Sequence, residues 1–137
     1  MLIDTNILVY AINSDSSKHK KSKAFLKEFK TDLVIAHQNI LEGLRILTHP
    51  KYIKVLSQKE ALEAVLYITS ACKFINPTFQ TIYIFLDLIR RYHTRSDQIF
   101  DAYLTATALS NGIDTIATDN VTDFKKFKEI KVLNPFV

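Results

Sequence analysis

The sequence predicts an α/β protein: a three-layer α/β/α sandwich around a short parallel sheet of about four to five strands. Three observations predict it. Brief apolar runs of strand character alternate with longer segments whose apolar residues recur at helical spacing. The chain has only two glycines and three prolines, so no Gly/Ser/Pro-rich linker divides it. The strand-like runs are apolar throughout, as strands buried on both faces are, and strand–helix–strand units then form right-handed crossovers. Residues 1–137 read as a single domain.

In order along the chain, Leu2–Asp4 forms a first short strand running into a helix from about Asn6 to Asn13. Ser and Asp residues of "SDSSKHKKSKAFLKEFK" cap a Lys-rich helix carrying Ala24, Phe25, Leu26 and Phe29. "LVIA" (Leu33–Ala36) is a second buried strand, followed by a helix through "NILEGLRILTH" that Pro50 stops. Ser57 with Glu60 three residues later is a capping-box signature for the next helix. "KFINP" is a third strand ended by Pro77. Thr78 is placed to cap "FQTIYIFLDLIRRYHT", where Ile82, Phe85, Leu86 and Ile89 recur at helical spacing. "SDQIFDAYLTATALSNG" is a further helix with Asp97 as its expected N-cap and Gly112 at the C′ position that favours a left-handed backbone. "DTIAT" and "IKVLNP" supply the fourth and fifth strands.

Composition narrows the class. At 137 residues, folding buries roughly 70% of the unfolded chain's surface, and 47% hydrophobic residues supply a core. Eighteen Lys and Arg against 14 Asp and Glu give a net charge of +4, compatible with a nucleic-acid partner without requiring one. Cys72 is the only cysteine, so no intrachain disulfide forms and a reducing, cytoplasmic setting is expected. The longest apolar run near the N-terminus, Ile7 to Ile12, is too short for a membrane span, and neither export nor insertion is indicated.

The acids draw attention because ligand sites of parallel sheets lie beyond the carboxyl ends of the strands. Asp4 ends the first strand and Asp119 follows the fourth. Glu42 lies in the helix after the second. Asp101, one turn after Asp97, is flanked by Phe100, Ala102 and Leu104, with no Lys or Arg at the i±3 or i±4 positions. A carboxylate among apolar neighbours is costly unless it is paired or hydrogen-bonded. If Asp4, Glu42, Asp101 and Asp119 converge, a hard divalent cation, Mg²⁺ or Mn²⁺, would supply the missing charge. It would also suit phosphodiester hydrolysis. Spacing alone leaves plainer roles open. Asp4 can be a helix N-cap beside the turn formers Thr5 and Asn6, Glu42 a solvated helix residue, and Asp123 the start of the "DFKKF" turn.

"LIDTNILVYAI", "LEGLRILTHP", "FDAYLTATALSNGIDTIATDNVTDF" and "VLNPF" together resemble the PIN-domain family, most closely the VapC-type toxins of toxin–antitoxin pairs. The resemblance spans nearly the whole chain, in the family's order. It implies a metal-dependent endoribonuclease that cleaves RNA, uses Mg²⁺ or Mn²⁺, is held in check by a small antitoxin protein, and forms a homodimer. It implies Asp4, Glu42 and Asp101 as the first three acids. For the fourth the expectation is Asp119, with Asp123 as competitor and Asn120 where the family often has its ligand. Thr5, Asn6 and Thr118 are then expected to orient the carboxylates.

Other chemistries fit less well. His19, His37, His49 and His93 lack zinc spacing, no glycine-rich phosphate loop exists, and no G-x-S-x-G elbow is present. A haloacid-dehalogenase-like phosphatase would need a second acid two residues after Asp4, where Asn6 stands. A catalytically silent module that binds RNA or protein is the other alternative. Lys18, Lys20, Lys21, Lys23, Lys27 and Lys30 form either a solvated helix face or a phosphate-contacting rim. Tyr83, Phe85 and Tyr92 read as core or interface residues.

Overall fold

The structure, a computed structural model, describes all of residues 1–137. Twelve elements follow in order: β1 (Leu2–Ile3), α1 (Thr5–Ile12), α2 (His19–Glu28), β2 (Val34–Ala36), α3 (His37–Leu47), α4 (Gln58–Thr69), β3 (Lys73–Ile75), α5 (Thr81–Tyr92), α6 (Gln98–Ser110), β4 (Thr115–Ala117), α7 (Val121–Phe124) and β5 (Lys131–Leu133). The five strands form one sheet in the order β3-β2-β1-β4-β5. Every pairing is parallel. The α/β/α expectation holds, with five strands.

Side chains of a strand alternate between the two faces of its sheet, and β1 shows this with two residues. Leu2 joins the core formed with α5, α6 and α7, which includes Leu88, Leu104, Phe124 and Phe127. Ile3 joins the opposite core with Ile7, Leu8, Phe25, Leu47 and Val65 from the first four helices. β1 sits at the centre because the chain first builds outward through β2 and β3, then returns to place β4 on its other flank. That reversal opens a crevice at the carboxyl ends of β1 and β4. Leu2 and Ile3 lie in register with Ile116 and Ala117, so the residues that follow each strand, Asp4 and Thr118, come out side by side.

Several terminators act as expected. Ser57 Oγ accepts from Glu60 N at 3.2 Å while Glu60 accepts from Ser57 N at 2.8 Å, closing the capping box of α4. Gly112 has φ 73°, and the following Ile113 N–H reaches back to the Ala108 carbonyl, as in a left-handed helix stop. Three starts differ. α5 begins at Thr81 because the Thr81 hydroxyl accepts from Thr78 N and pairs with Ser110, so Thr78 to Gln80 form a turn ahead of the helix. Asp97 precedes α6 but makes no capping bond. α2 starts after Lys18 with no side-chain cap, the Ser16 hydroxyl instead accepting from Lys18 N.

Candidate active site

Asp4 is the N-cap of α1 and also stands at the carboxyl edge of the sheet. Its N–H completes the β1–β4 ladder on the Ala117 carbonyl at 2.9 Å, and its backbone then turns away in an extended conformation. One carboxylate oxygen, Oδ1, accepts from Thr5 N at 2.7 Å and starts α1. The other, Oδ2, accepts from the Thr118 hydroxyl at 2.6 Å and from Asn6 Nδ2 at 2.8 Å. Thr118 is itself fully buried, so Asp4 is gripped by donors from the start of α1 and from the end of β4. Burial raises its pKa most. Hydrogen bonds from Thr118 and Thr5 partly offset this, the charges of Glu42 and Asp123 add to it, and the result is about 6.

Glu42 reaches the same region from the second turn of α3. Its two oxygens accept from the Thr5 hydroxyl and from Gln38 Nε2, each at 2.8 Å. Asn39 Nδ2 in turn donates to the Thr5 hydroxyl at 3.2 Å while its own Oδ1 accepts from Ala36 N. Gln38 Nε2 also reaches the Phe100 carbonyl at 2.9 Å, tying the start of α3 to the start of α6 beside Asp101. Neither Gln38 nor Asn39 was singled out from the sequence. Their positions four and three residues before Glu42 on one helix were the available signal.

Asp101 lies in the first turn of α6, half-buried and without a side-chain hydrogen bond or ion pair. Burial pushes its pKa up, the charges of Asp4, Asp123 and Glu42 push it further, and Lys126 opposes them, leaving it at about 7. Asp123, on α7, therefore belongs to the group of acids that feel one another. Its Oδ2 accepts from the Asn120 amide, and Asn120 N is anchored on the Thr118 hydroxyl at 2.9 Å.

Asp119 is not drawn into that group. Its Oδ2 receives the Lys18 ammonium and the Tyr10 hydroxyl, the latter at 3.0 Å. Burial raises the Asp119 carboxyl, but the hydrogen bonds from Lys18 and Tyr10 and the charge of Lys18 outweigh it and hold the pKa below the usual range. The same contact, after burial, pushes the Tyr10 phenol up to about 12. Thr118 points to Asp4, and the side chain of Asp119, in the bend that follows β4, turns instead to Lys18 and Tyr10. Only the backbone N–H of Asp119 touches the site, reaching Asn6 Oδ1 at 3.3 Å.

Asp4, Glu42, Asp101 and Asp123 thus gather near the end of β1, close enough for their charges to act on Asp4 and Asp101. No three acidic, imidazole or thiol side chains close tightly enough to hold an ion among themselves. The donor set is nevertheless all carboxylate, crowded and partly desolvated, which is the chemistry of a hard divalent cation. Mg²⁺ characteristically retains waters and takes only one or two protein carboxylates, so an open cluster of acids fits it. A cleft of about 250 Å³ on the outer side of α3, lined by Leu44, Arg45, Thr48, Gln58 and Leu62, contains no acid.

The PIN domain family model matches residues 1–130. This chain belongs to the PIN domain family. Among curated proteins, this PIN domain is 29% identical to Ribonuclease VapC24 of Mycobacterium tuberculosis, over 97% of this chain and 94% of that one. Among solved structures, VapBC2 from Rickettsia felis, bound to a DNA fragment from its promoter, superposes with a TM-score of 0.77. The match covers 97% of this chain and 96% of the other at 16% identity. FitAcB from Neisseria gonorrhoeae gives a TM-score of 0.71 over 98% and 97% at 22% identity. Those two structures speak for the PIN fold alone.

Proposed function

We propose that this PIN domain is a Mg²⁺-dependent endoribonuclease, the toxin of a VapBC-type pair, with Asp4, Glu42, Asp101 and Asp123 around the metal. The observation that carries it is electrostatic. Asp4 and Asp101 are buried or half-buried carboxyls with raised pKa values, the charges of Glu42 and Asp123 add to burial at both, Asp4 adds to it at Asp101, and none of the four forms an ion pair. Charge crowded this way favours a cation, and Mn²⁺ has the same ligand preferences as Mg²⁺. The similarity to a curated ribonuclease over 97% of the chain supports the substrate class.

When bound, such an ion polarises a phosphate oxygen and lowers the pKa of a coordinated water. The chain's own residues hold the acids still. Thr5, Thr118 and Asn6 fix both oxygens of Asp4. Thr5 and Gln38 fix both oxygens of Glu42. Asn120 orients Asp123, and Asp101 is left free of hydrogen bonds to meet an incoming ligand. Asp119, the acid expected from the sequence, has in this reading a structural role as the partner of Lys18.

An antitoxin partner is supported by the likeness to a solved toxin–antitoxin complex from Klebsiella pneumoniae. Exposed apolar side chains also suit protein contacts: Leu62, Leu66 and Tyr67 on α4, and Ile82, Tyr83 and Leu86 on α5. A second copy of this chain is the other partner these faces suit. No helix is long and apolar enough to cross a membrane, in keeping with a cytoplasmic role.

The test is cleavage of an RNA panel by the purified protein, with Asp4→Asn as control. EDTA is expected to abolish cleavage, and Mg²⁺ or Mn²⁺ in excess to restore it. Full activity after rigorous chelation would overturn the metal mechanism.

A further inference from the structure

Two lysines stand beside the cluster of acids, and they differ in one respect. Lys18 is committed: its ammonium pairs with Asp119 and lies 5.2 Å from the ring centres of both Tyr10 and Phe136. Lys126 is in no ion pair. Its ammonium donates to the neutral Gln98 Oε1 at 2.7 Å and lies 5.0 Å from the Phe127 ring centre. Gln98 is one turn before Asp101 on α6, so this bond holds Lys126 at the Asp101 edge of the cluster. Asp123 lies three residues before Lys126, at the end of α7. The positive charge of Lys126 acts on the Asp101 carboxyl, opposing the neighbouring acids.

An ammonium fixed next to a cluster of acids, open to solvent and without a carboxylate partner, is an arrangement suited to a phosphate. Its head is anchored by a neutral acceptor and lies against the Phe127 ring, so less freedom is lost when an anion arrives. We infer that Lys126 is a substrate-contacting residue, binding the RNA phosphate that lies beside the scissile one on the Asp101 side of the site. The inference rests on the ribonuclease reading. Phosphate contacts position a strand without reading its sequence, so Lys126 sets affinity and register rather than base preference. Lys18, already neutralised by Asp119, clasps the α1–α2 turn to the end of β4.

The experiment measures binding of a fluorescently labelled, mixed-sequence single-stranded RNA to the full chain carrying Asp4→Asn, which prevents cleavage, across a salt series. Three further variants are compared in that background: Lys126→Gln, Lys126→Arg and Lys18→Gln. Each phosphate contact to a single strand contributes about 0.7 to the slope of log affinity against log salt. Lys126→Gln is expected to flatten the slope by about that amount, so a fourfold rise in salt weakens it about 2.6-fold less than its parent. Lys126→Arg should retain the parent slope, and Lys18→Gln should retain it while lowering the melting temperature. In the cleaving protein, Lys126→Gln should raise KM with little change in kcat, a split that a merely structural role would not produce. Parent-like slope and KM in Lys126→Gln, in a protein that does bind and cleave RNA, would overturn this inference alone. A wild type that neither binds nor cleaves RNA would overturn the ribonuclease reading and this one with it.

Discussion

Thr118 and Asp119 are neighbours just beyond β4, and their side chains go to different partners. The Thr118 hydroxyl lands on Asp4 and the Asp119 carboxylate on Lys18 and Tyr10. The chain then passes through Asn120 into α7, which brings the next acid, Asp123, back towards Asp4 and Asp101. Asp123→Asn is therefore expected to lower kcat/KM by more than about 100-fold, beyond what loss of an outer-sphere partner typically does. Asp119→Asn should change it only a few-fold, because it breaks a partly exposed ion pair worth at most about 1 kcal/mol. Steady-state kinetics on one RNA substrate, with Mg²⁺ titrations of both variants, rank the two; the opposite order would return Asp119 to the metal. From the sequence the two acids could not be separated. Each follows a Thr near the same strand end, and only the direction of the side chains distinguishes them.

At the level of elements, the site depends on how closely α1 and α3 cross, since Thr5 on one must reach Glu42 on the other. Gly43 makes that approach possible. A Cβ there would stand 3.2 Å from Leu8 Cδ2 and 3.9 Å from Thr5 Cγ2. Gly43→Val would drive a branched side chain into the fully buried Leu8 and lever the helices apart, at a cost of about 1–3 kcal/mol. Denaturant unfolding is expected to show that loss together with a fall in activity, because the Thr5–Glu42 hydrogen bond separates with the helices. Unchanged stability would mean that α3 tolerates the shift. Much at this scale was legible: the Ser57–Glu60 box, the Gly112 stop and the strand–helix alternation are local signals, and local chemistry decides them. What escaped depends on partners distant in sequence. Thr78 looked like a cap, but Thr81 bonded to Ser110 starts α5 instead. Gln38 gains its place from Phe100, sixty-two residues away.

For the whole molecule, the crowded acids turn stability into a function of pH and, on the proposed function, of metal. Asp4 and Asp101 have folded-state pKa values of about 6 and about 7, against an ordinary 3.8. In the folded state they keep protons that the unfolded chain has already released. The unfolded state then binds fewer protons, so stability falls as pH rises from about 4 to about 7. Asp119 and Glu129 work in the other sense: their lowered pKa values favour the fold above about pH 4, and that contribution is lost on acidification. In EDTA the wild type is therefore expected to be most stable in mildly acid solution and to melt earlier as pH approaches 7. Asp101→Asn removes one of the repelling charges with little change in shape. In EDTA its melting temperature should equal or exceed that of the wild type near pH 7 and fall less steeply with pH. If Mg²⁺ binds the ionised carboxylates of the native state, as proposed, it should raise the wild-type midpoint increasingly towards pH 7 and the variant's much less. Melting curves of the two proteins at three pH values, with and without Mg²⁺, test the whole scheme. An Asp101→Asn protein destabilised equally in every buffer would make Asp101 a structural residue, and the shared acidic site would lose one of its corners.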